Sequence, residues 1–104
     1  LSIKQMPNIV EGSEISGKLK KSIADDWGID GRPVVAGGGG DNAATACGLG
    51  IIKHGDAFIS LGTSGVIFLA TDNFIPAAND GAHSFCHAIP EKWHLMSVIF
   101  ICNR

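Results

Sequence analysis

The run "VVAGGGGDNAA" at residues 34–44 constrains this chain most, because four consecutive glycines separate a β-branched segment from an acidic residue. Residues 33–37 predict a short strand, too apolar to be half exposed and therefore central in a sheet. Asp41 and Asn42 supply N-cap chemistry for a following helix that is rich in small residues. Glycines permit positive φ and let a ligand approach the bare backbone. Since four exceed what most turns need, we favour a ligand site over a plain turn.

Two nucleotide-binding signatures were compared with this loop. A Walker A loop requires Lys and then Ser or Thr after its last glycine, but Gly40 is followed by Asp41. A dinucleotide fingerprint fits as Gly38-x-Gly40-x-x-Ala43, yet it needs an acidic residue at the end of the next strand. Asp56 instead opens that strand, and the charge of Asp41 would repel a pyrophosphate. A dinucleotide-binding oxidoreductase therefore remains a distant alternative.

The carboxylate of Asp41 has a stronger interpretation as a general base. At the edge of a glycine loop it can reach a substrate hydroxyl that the bare backbone allows to come close. Asn42 beside it can hydrogen-bond a polyol or a keto oxygen. The simpler roles, capping of their own helix, stay open for both residues and are compatible with these.

A second candidate loop is "SLGTSGV" at residues 60–66, between two segments that predict the strands of a tight hairpin. Its backbone N–H groups and the hydroxyls of Thr63 and Ser64 could cradle phosphate oxygens. An ordinary hairpin turn explains the same residues equally well. The G-x-S-x-G nucleophile elbow is not met, because Gly65 follows Ser64 directly.

The remaining pattern suggests two regions with a boundary near His54 and Gly55. Before it, residues 15–27 predict an amphipathic helix with Gly28 as its C-cap, followed by the strand and helix above. After it, short apolar segments separated by turns predict a meander of antiparallel strands.

Composition and charge narrow the class of protein. A net charge of -2 argues against nucleic acid and anionic membranes as general partners. Neither a membrane span nor a secretory signal is visible. Cys47, Cys86 and Cys102 are widely spaced, which indicates reduced thiols in a cytoplasmic protein. On a strand His83 and His87 would stand roughly 13 Å apart, too far for one ion, so we assign no metal cluster.

The segments "VVAGGGGDNAATACGLGIIKHGDAFISLGTSGVIF" and "HSFCHAIPEKWHLMSV" resemble the FGGY family of carbohydrate kinases, and within it the xylulokinases. The family's G-D-[NQ]-x-A element is matched at Asp41 and Asn42. Its G-T-x-G turn about two dozen residues later is matched at Gly62 and Thr63. The resemblance covers nearly the whole chain.

This resemblance implies an α/β chain that is a fragment of the two-lobed actin-like ATPase (ribonuclease H-like) fold. Residues 1–54 would end the first lobe and residues 55–104 would begin the second. Asp41 would be the catalytic base and lie at the sugar with Asn42, while Gly62 and Thr63 would contact ATP phosphates.

The implied reaction of the full-length protein is the phosphorylation of D-xylulose to D-xylulose 5-phosphate, with ATP and Mg²⁺. A homodimer of that protein is left open. The family's D-x-G-T phosphate loop is absent, and the final "VIFICNR" departs from the family pattern. We therefore expect the 104 residues alone to be inactive, and a fragment with at most weak nucleotide or sugar binding is the alternative.

Overall fold

The computed structural model describes the backbone of residues 2–100 and the side chains of residues 2–99. The chain separates into two compact units, Leu1–Gly38 and Gly39–Arg104. Cys102 and most of the divergent "VIFICNR" end lie outside the described residues. The lobe boundary at residues 54 and 55 concerns the two-lobed fold and stays a prediction.

The first unit contains a short two-stranded sheet and one helix. A 3₁₀ turn at Ile3–Gln5 precedes strand β1 (Ile15–Lys18), helix α1 (Lys21–Asp26) and strand β2 (Val34–Ala36). The two strands pair antiparallel.

The prediction of a helix over residues 15–27 was wrong in its first part, because β1 occupies Ile15–Lys18. Gly17 has low helix propensity, and the register of β1 shifts there, as at a β-bulge. The helix starts only at Lys21. The predicted C-cap, Gly28, was wrong by one position, because the helix ends at Asp26 with Trp27 as its C-cap. Gly28 follows with a φ of 65°, and its N–H donates to the carbonyl of Asp25.

The prediction that residues 33–37 form a buried central strand was also wrong. Val34 and Val35 on β2 are 57% and 46% exposed. Among the described residues β2 pairs only with β1, so it is half of a two-stranded sheet with no second layer to bury its side chains.

The second unit is a helix and a four-stranded antiparallel sheet. Helix α2 (Asp41–Leu49) is followed by β3 (Ala57–Leu61), β4 (Ser64–Thr71), a 3₁₀ turn at Ala78–Asp80, β5 (His83–Cys86) and β6 (Trp93–Phe100). The hairpin of β3 and β4 was predicted correctly, and its pairing runs from Ala57 opposite Leu69 to Leu61 opposite Gly65.

The sheet order is β3-β4-β6-β5, which departs from the predicted meander in one place. The eight-residue β6 pairs with the equally long β4 along its whole length. The four-residue β5 then lies at the edge beside β6. Matching the two long strands satisfies more backbone hydrogen bonds, and a short strand is suited to the edge.

The core of the second unit lies between α2 and the sheet. Ala46, Phe68 and Ala70 are almost wholly buried, and Ile51 and Phe58 pack against them. The rings of Phe58 and Phe68 stack with centroids 4.9 Å apart. The small side chains predicted for α2 thus let the helix lie close to its neighbour, at Ala46 above all.

Candidate active site

In the loop before α2, backbone conformation and close packing require glycine at some positions. Gly38 has a φ of 83°, where a side chain would be strained. A Cβ on Gly39 would lie 2.9 Å from the Cβ of Ala88, closer than real Cβ contacts. Gly40 has open space around its Cβ position. Local packing therefore explains part of the glycine run, and the argument for a ligand must rest on the residues around it.

Helix α2 begins at Asp41, with Gly40 as its N-cap, so the prediction that Asp41 and Asn42 cap the helix was wrong by one position. Asp41 lies in the first turn, where the helix dipole favours a carboxylate. Its Oδ1 accepts hydrogen bonds from the backbone N–H of Asn42 at 2.8 Å and from the Nδ2 of Asn42 at 3.3 Å. These contacts hold the carboxylate and the neighbouring amide side by side.

The other oxygen of Asp41 is available for chemistry. Asp41 is exposed, and its Oδ2 has no hydrogen-bond partner among residues 2–99. The ion pairs within those residues are Lys21 with Asp25 and Lys92 with Asp72, and neither reaches Asp41. A carboxylate oxygen without a cation or a donor is what a general base requires.

A cavity of about 400 Å³ opens beside Asp41, inside the second unit. Its walls come from the start of α2 and from the β5–β6 hairpin, namely Gly40, Asp41, Asn42, Ala43, Phe85, Cys86, His94 and Met96. The structure thus brings the predicted Asp41 and Asn42 together with side chains from the other end of the unit. A pocket with polar groups at one side and apolar groups at the other suits a small polar organic ligand.

The predicted phosphate residues Gly62 and Thr63 do not line this cavity. They lie in the turn between β3 and β4, where both are exposed. The N–H of Gly62 donates to the carbonyl of Ser64 at 3.2 Å, so it is already used within the turn. The hydroxyl of Thr63 remains the clearest group there for contact with a phosphate.

His94 is a cavity residue that sequence analysis missed. Its side chain is 5% exposed, and its Nδ1 is buried without a hydrogen-bond partner among the described residues. The imidazole stacks on Phe68 at a centroid distance of 4.3 Å and on Phe85 at 5.5 Å. Burial, and secondarily the proximity of His87, lower the pKa of His94, so the ring is held neutral.

The ring of His87 is held by backbone groups on both of its nitrogens. Its Nε2 lies 3.2 Å from the carbonyl oxygen of Ile51, and its Nδ1 accepts from the N–H of Ile89 at 3.1 Å. Because Nδ1 accepts, Nε2 carries the proton and donates to Ile51. Between residues 2 and 99 no three His, Cys, Asp or Glu side chains form a group able to hold a metal ion.

Comparisons with known proteins relate this chain to sugar kinases. Residues 1–48, which include Asp41 and Asn42, match the N-terminal domain of the FGGY family of carbohydrate kinases. The chain is 52% identical over 99 residues to the xylulose kinase of Escherichia coli strain K12, covering 95% of this chain and 20% of that protein. Residues 1–48 therefore match an FGGY carbohydrate kinase domain, and the chain as a whole is similar to xylulose kinases. It is also 48% identical to the xylulose kinase of Klebsiella pneumoniae, with the same two coverages.

A solved sugar kinase structure confirms the fold class. The chain aligns with the crystal structure of a xylulose (xyloylose) kinase from Brucella ovis at a TM-score of 0.86 and 52% identity. The alignment covers 92% of this chain and 20% of that one. The mixed helices and antiparallel strands are therefore a fragment of an actin-like ATPase fold.

The chain spans about a fifth of the length of these FGGY relatives, 20% in each case. None of the helices formed by the described residues is long and apolar enough to cross a membrane.

Proposed function

We propose that the protein to which this chain belongs is a xylulokinase, which transfers the γ-phosphoryl group of ATP to D-xylulose. The products are D-xylulose 5-phosphate and ADP. The family and the identity of the relatives support this reaction class. The observation that carries the proposal is the exposed, cation-free carboxylate of Asp41 at the side of a cavity large enough for a five-carbon sugar.

Asp41 acts as the general base in this proposal. Its Oδ2 accepts the proton of the C5 hydroxyl as the hydroxyl oxygen attacks the γ-phosphorus in line with the departing ADP. Its Oδ1 is held by the two donors of Asn42, so the carboxylate keeps its direction while the proton moves. Asn42, half-buried in the same wall, has a second amide hydrogen and a carbonyl oxygen for other hydroxyls of the sugar.

The turn between β3 and β4 serves ATP in this proposal. The hydroxyl of Thr63 donates to a phosphate oxygen. Gly62 allows that phosphate to approach, since a Cβ there would meet nothing nearer than the carbonyl oxygen of Ser64 at 3.7 Å.

Mg²⁺ would accompany ATP, as it does in phosphoryl transfer generally. Mg²⁺ takes about six oxygen ligands, several of them from water and phosphate. Around the cavity the described residues supply one carboxylate, that of Asp41, and no group of three metal-ligating side chains. These residues do not by themselves make a magnesium site, and we derive no step through the ion.

The test is a coupled ADP-release assay on the whole protein with D-xylulose, before and after Asp41→Asn. Asparagine keeps the size of the side chain and an oxygen that can accept from the N–H of Asn42, but an amide cannot accept the proton. We expect kcat to fall by about 10²–10⁴-fold, with little change in the melting temperature.

Asp80→Asn is the matched control, because it makes the same change at an exposed carboxylate of the 3₁₀ turn, outside the cavity. It should leave kcat within about twofold. Retention of more than a tenth of the activity by Asp41→Asn would refute the role of the base. Absence of ADP release by the unsubstituted protein with D-xylulose would refute the kinase proposal itself.

A further inference from the structure

The cavity wall formed by the β5–β6 hairpin contains a polar group that its own fold leaves unsatisfied. Phe85 and Met96 make this wall apolar, and His94 lies between them on the β5–β6 hairpin. Its Nδ1 is buried and has no partner among the described residues. Leaving a buried polar group without a hydrogen bond costs free energy, so such groups in native proteins have a reason.

The position of the ring is fixed by its neighbours. Phe68 stacks on it with an interplanar angle of 19°, and Phe85 with an angle of 25°. His87 meets it edge-on at 90°, with centroids 6.0 Å apart. A ring held between two phenyl groups cannot swing out to find a partner, so a ligand in the cavity reaches Nδ1 only when a neighbouring side chain of this wall moves aside.

The chemistry of a neutral imidazole says what that partner can be. One ring nitrogen donates a hydrogen bond and the other accepts one. A hydroxyl can do both, so it satisfies either tautomer, whereas an anion or a cation suits only one form of the ring. The adjacent Met96 is unbranched and adaptable, which allows this wall to adjust to a ligand.

We propose that His94 is a sugar-binding residue of this cavity, where its imidazole shares a hydrogen bond with a hydroxyl of D-xylulose while another hydroxyl lies at Asp41. The choice of D-xylulose rests on the proposed function; the requirement for a neutral hydroxyl group does not. His94 and Asp41 then hold the sugar from two different elements, β6 and α2, and a sugar that lacks one hydroxyl would lose one of the two contacts.

Two substitutions separate binding from packing. His94→Phe keeps an aromatic ring between Phe68 and Phe85 but removes both nitrogens. His94→Asn removes the ring but keeps a polar atom near the position of Nδ1. The measurements, all on the whole protein, are the Kd for D-xylulose by titration calorimetry without ATP, the KM for D-xylulose and for ATP, and the melting temperature.

We expect the two variants to rank differently by sugar affinity and by stability. His94→Phe should raise the Kd and KM for D-xylulose about tenfold, the loss expected for one buried hydrogen bond, with an unchanged or higher melting temperature. His94→Asn should lower the melting temperature yet bind the sugar more tightly than His94→Phe does. The KM for ATP should stay within twofold in both. His83→Phe, at an exposed histidine outside the cavity, is the matched control and should change none of these values.

Three results would overturn the proposal. The first is a Kd for D-xylulose in His94→Phe within twofold of that of the unsubstituted protein. The second is a Kd that rises in each variant as its melting temperature falls, and the third is no binding of D-xylulose to the unsubstituted protein. Sugar binding that depends on His94 without any ADP release would support this inference while refuting the kinase. ADP release with an unchanged KM for D-xylulose in His94→Phe would support the kinase and refute the role of His94.

Discussion

Gly39 offers the sharpest test of how the loop before Asp41 is built. Its ideal Cβ would lie 2.9 Å from the Cβ of Ala88. Comfortable contacts between carbon atoms are about 3.5–4.0 Å, so in Gly39→Ala one side has to move by roughly 0.6–1.1 Å. Both methyl groups are attached directly to the backbone, and no side-chain rotation can relieve the contact. We therefore expect a loss of about 1–3 kcal/mol in the free energy of unfolding.

The same displacement should reach the chemistry. Gly39 lies two residues before Asp41. A shift of about 1 Å in a catalytic group can cost on the order of 10²-fold in rate. In the proposed kinase, Gly39→Ala should thus lower kcat as well as stability, although it removes no polar group.

A double-mutant cycle with Ala88→Gly isolates the contact. Urea unfolding of the four proteins gives the two single losses and their coupling. If the methyl–methyl contact is the cause, Gly39→Ala should cost about 1–3 kcal/mol next to alanine and less than about 0.5 kcal/mol once Ala88→Gly has removed the second methyl. ADP release should recover in the double variant. Equal costs in the two backgrounds would refute the steric reasoning.

Two further predictions concern stability alone. Gly48 lies towards the end of α2, and nothing is within 4 Å of the position its Cβ would take. Gly48→Ala should therefore raise the free energy of unfolding by about 0.5–1 kcal/mol in the same urea assay. A lower free energy of unfolding in this variant would contradict the reasoning. The lowered pKa of His94 means that the unfolded state binds its proton more readily. Stability should therefore be complete above the unfolded-state pKa near 6.5 and fall as the pH drops through it towards the folded value. His94→Phe should remove that part of the pH dependence, and an identical dependence in both proteins would count against it.

The sequence predicted the elements whose signals are local. The start of helix α2 at Asp41 and the hairpin with its turn at Thr63 were both predicted from residues adjacent in the chain. Both elements are present. The helix at residues 15–27 failed for a related reason. Its spacing of apolar residues is also compatible with a strand up to Lys18, and pairing with the distant β2 decided between them.

The cavity could not be predicted because its two walls come from opposite ends of the second unit. His94 lies more than fifty positions after Asp41 and reaches the cavity only because β6 pairs with β4 on one side and β5 on the other. One signal was available. In "WHLMSV" the alternation of a strand places His94 on the same face as Met96 and Val98, and a histidine on an apolar face is a candidate for a buried polar role.

The sheet order has a consequence for folding kinetics. The β3–β4 hairpin closes a turn at Gly62 and Thr63, which takes microseconds in isolated hairpins. The β4–β6 pairing, from Thr71 opposite Trp93 onward, must first close the segment of residues 72–92, at a larger entropic cost. The strand that carries His94 should thus join the sheet after the hairpin has formed. Shortening the part of that segment before β5, residues 72–82, would speed this step, and the cavity wall formed by β5 and β6 would be completed earlier without any change in its residues.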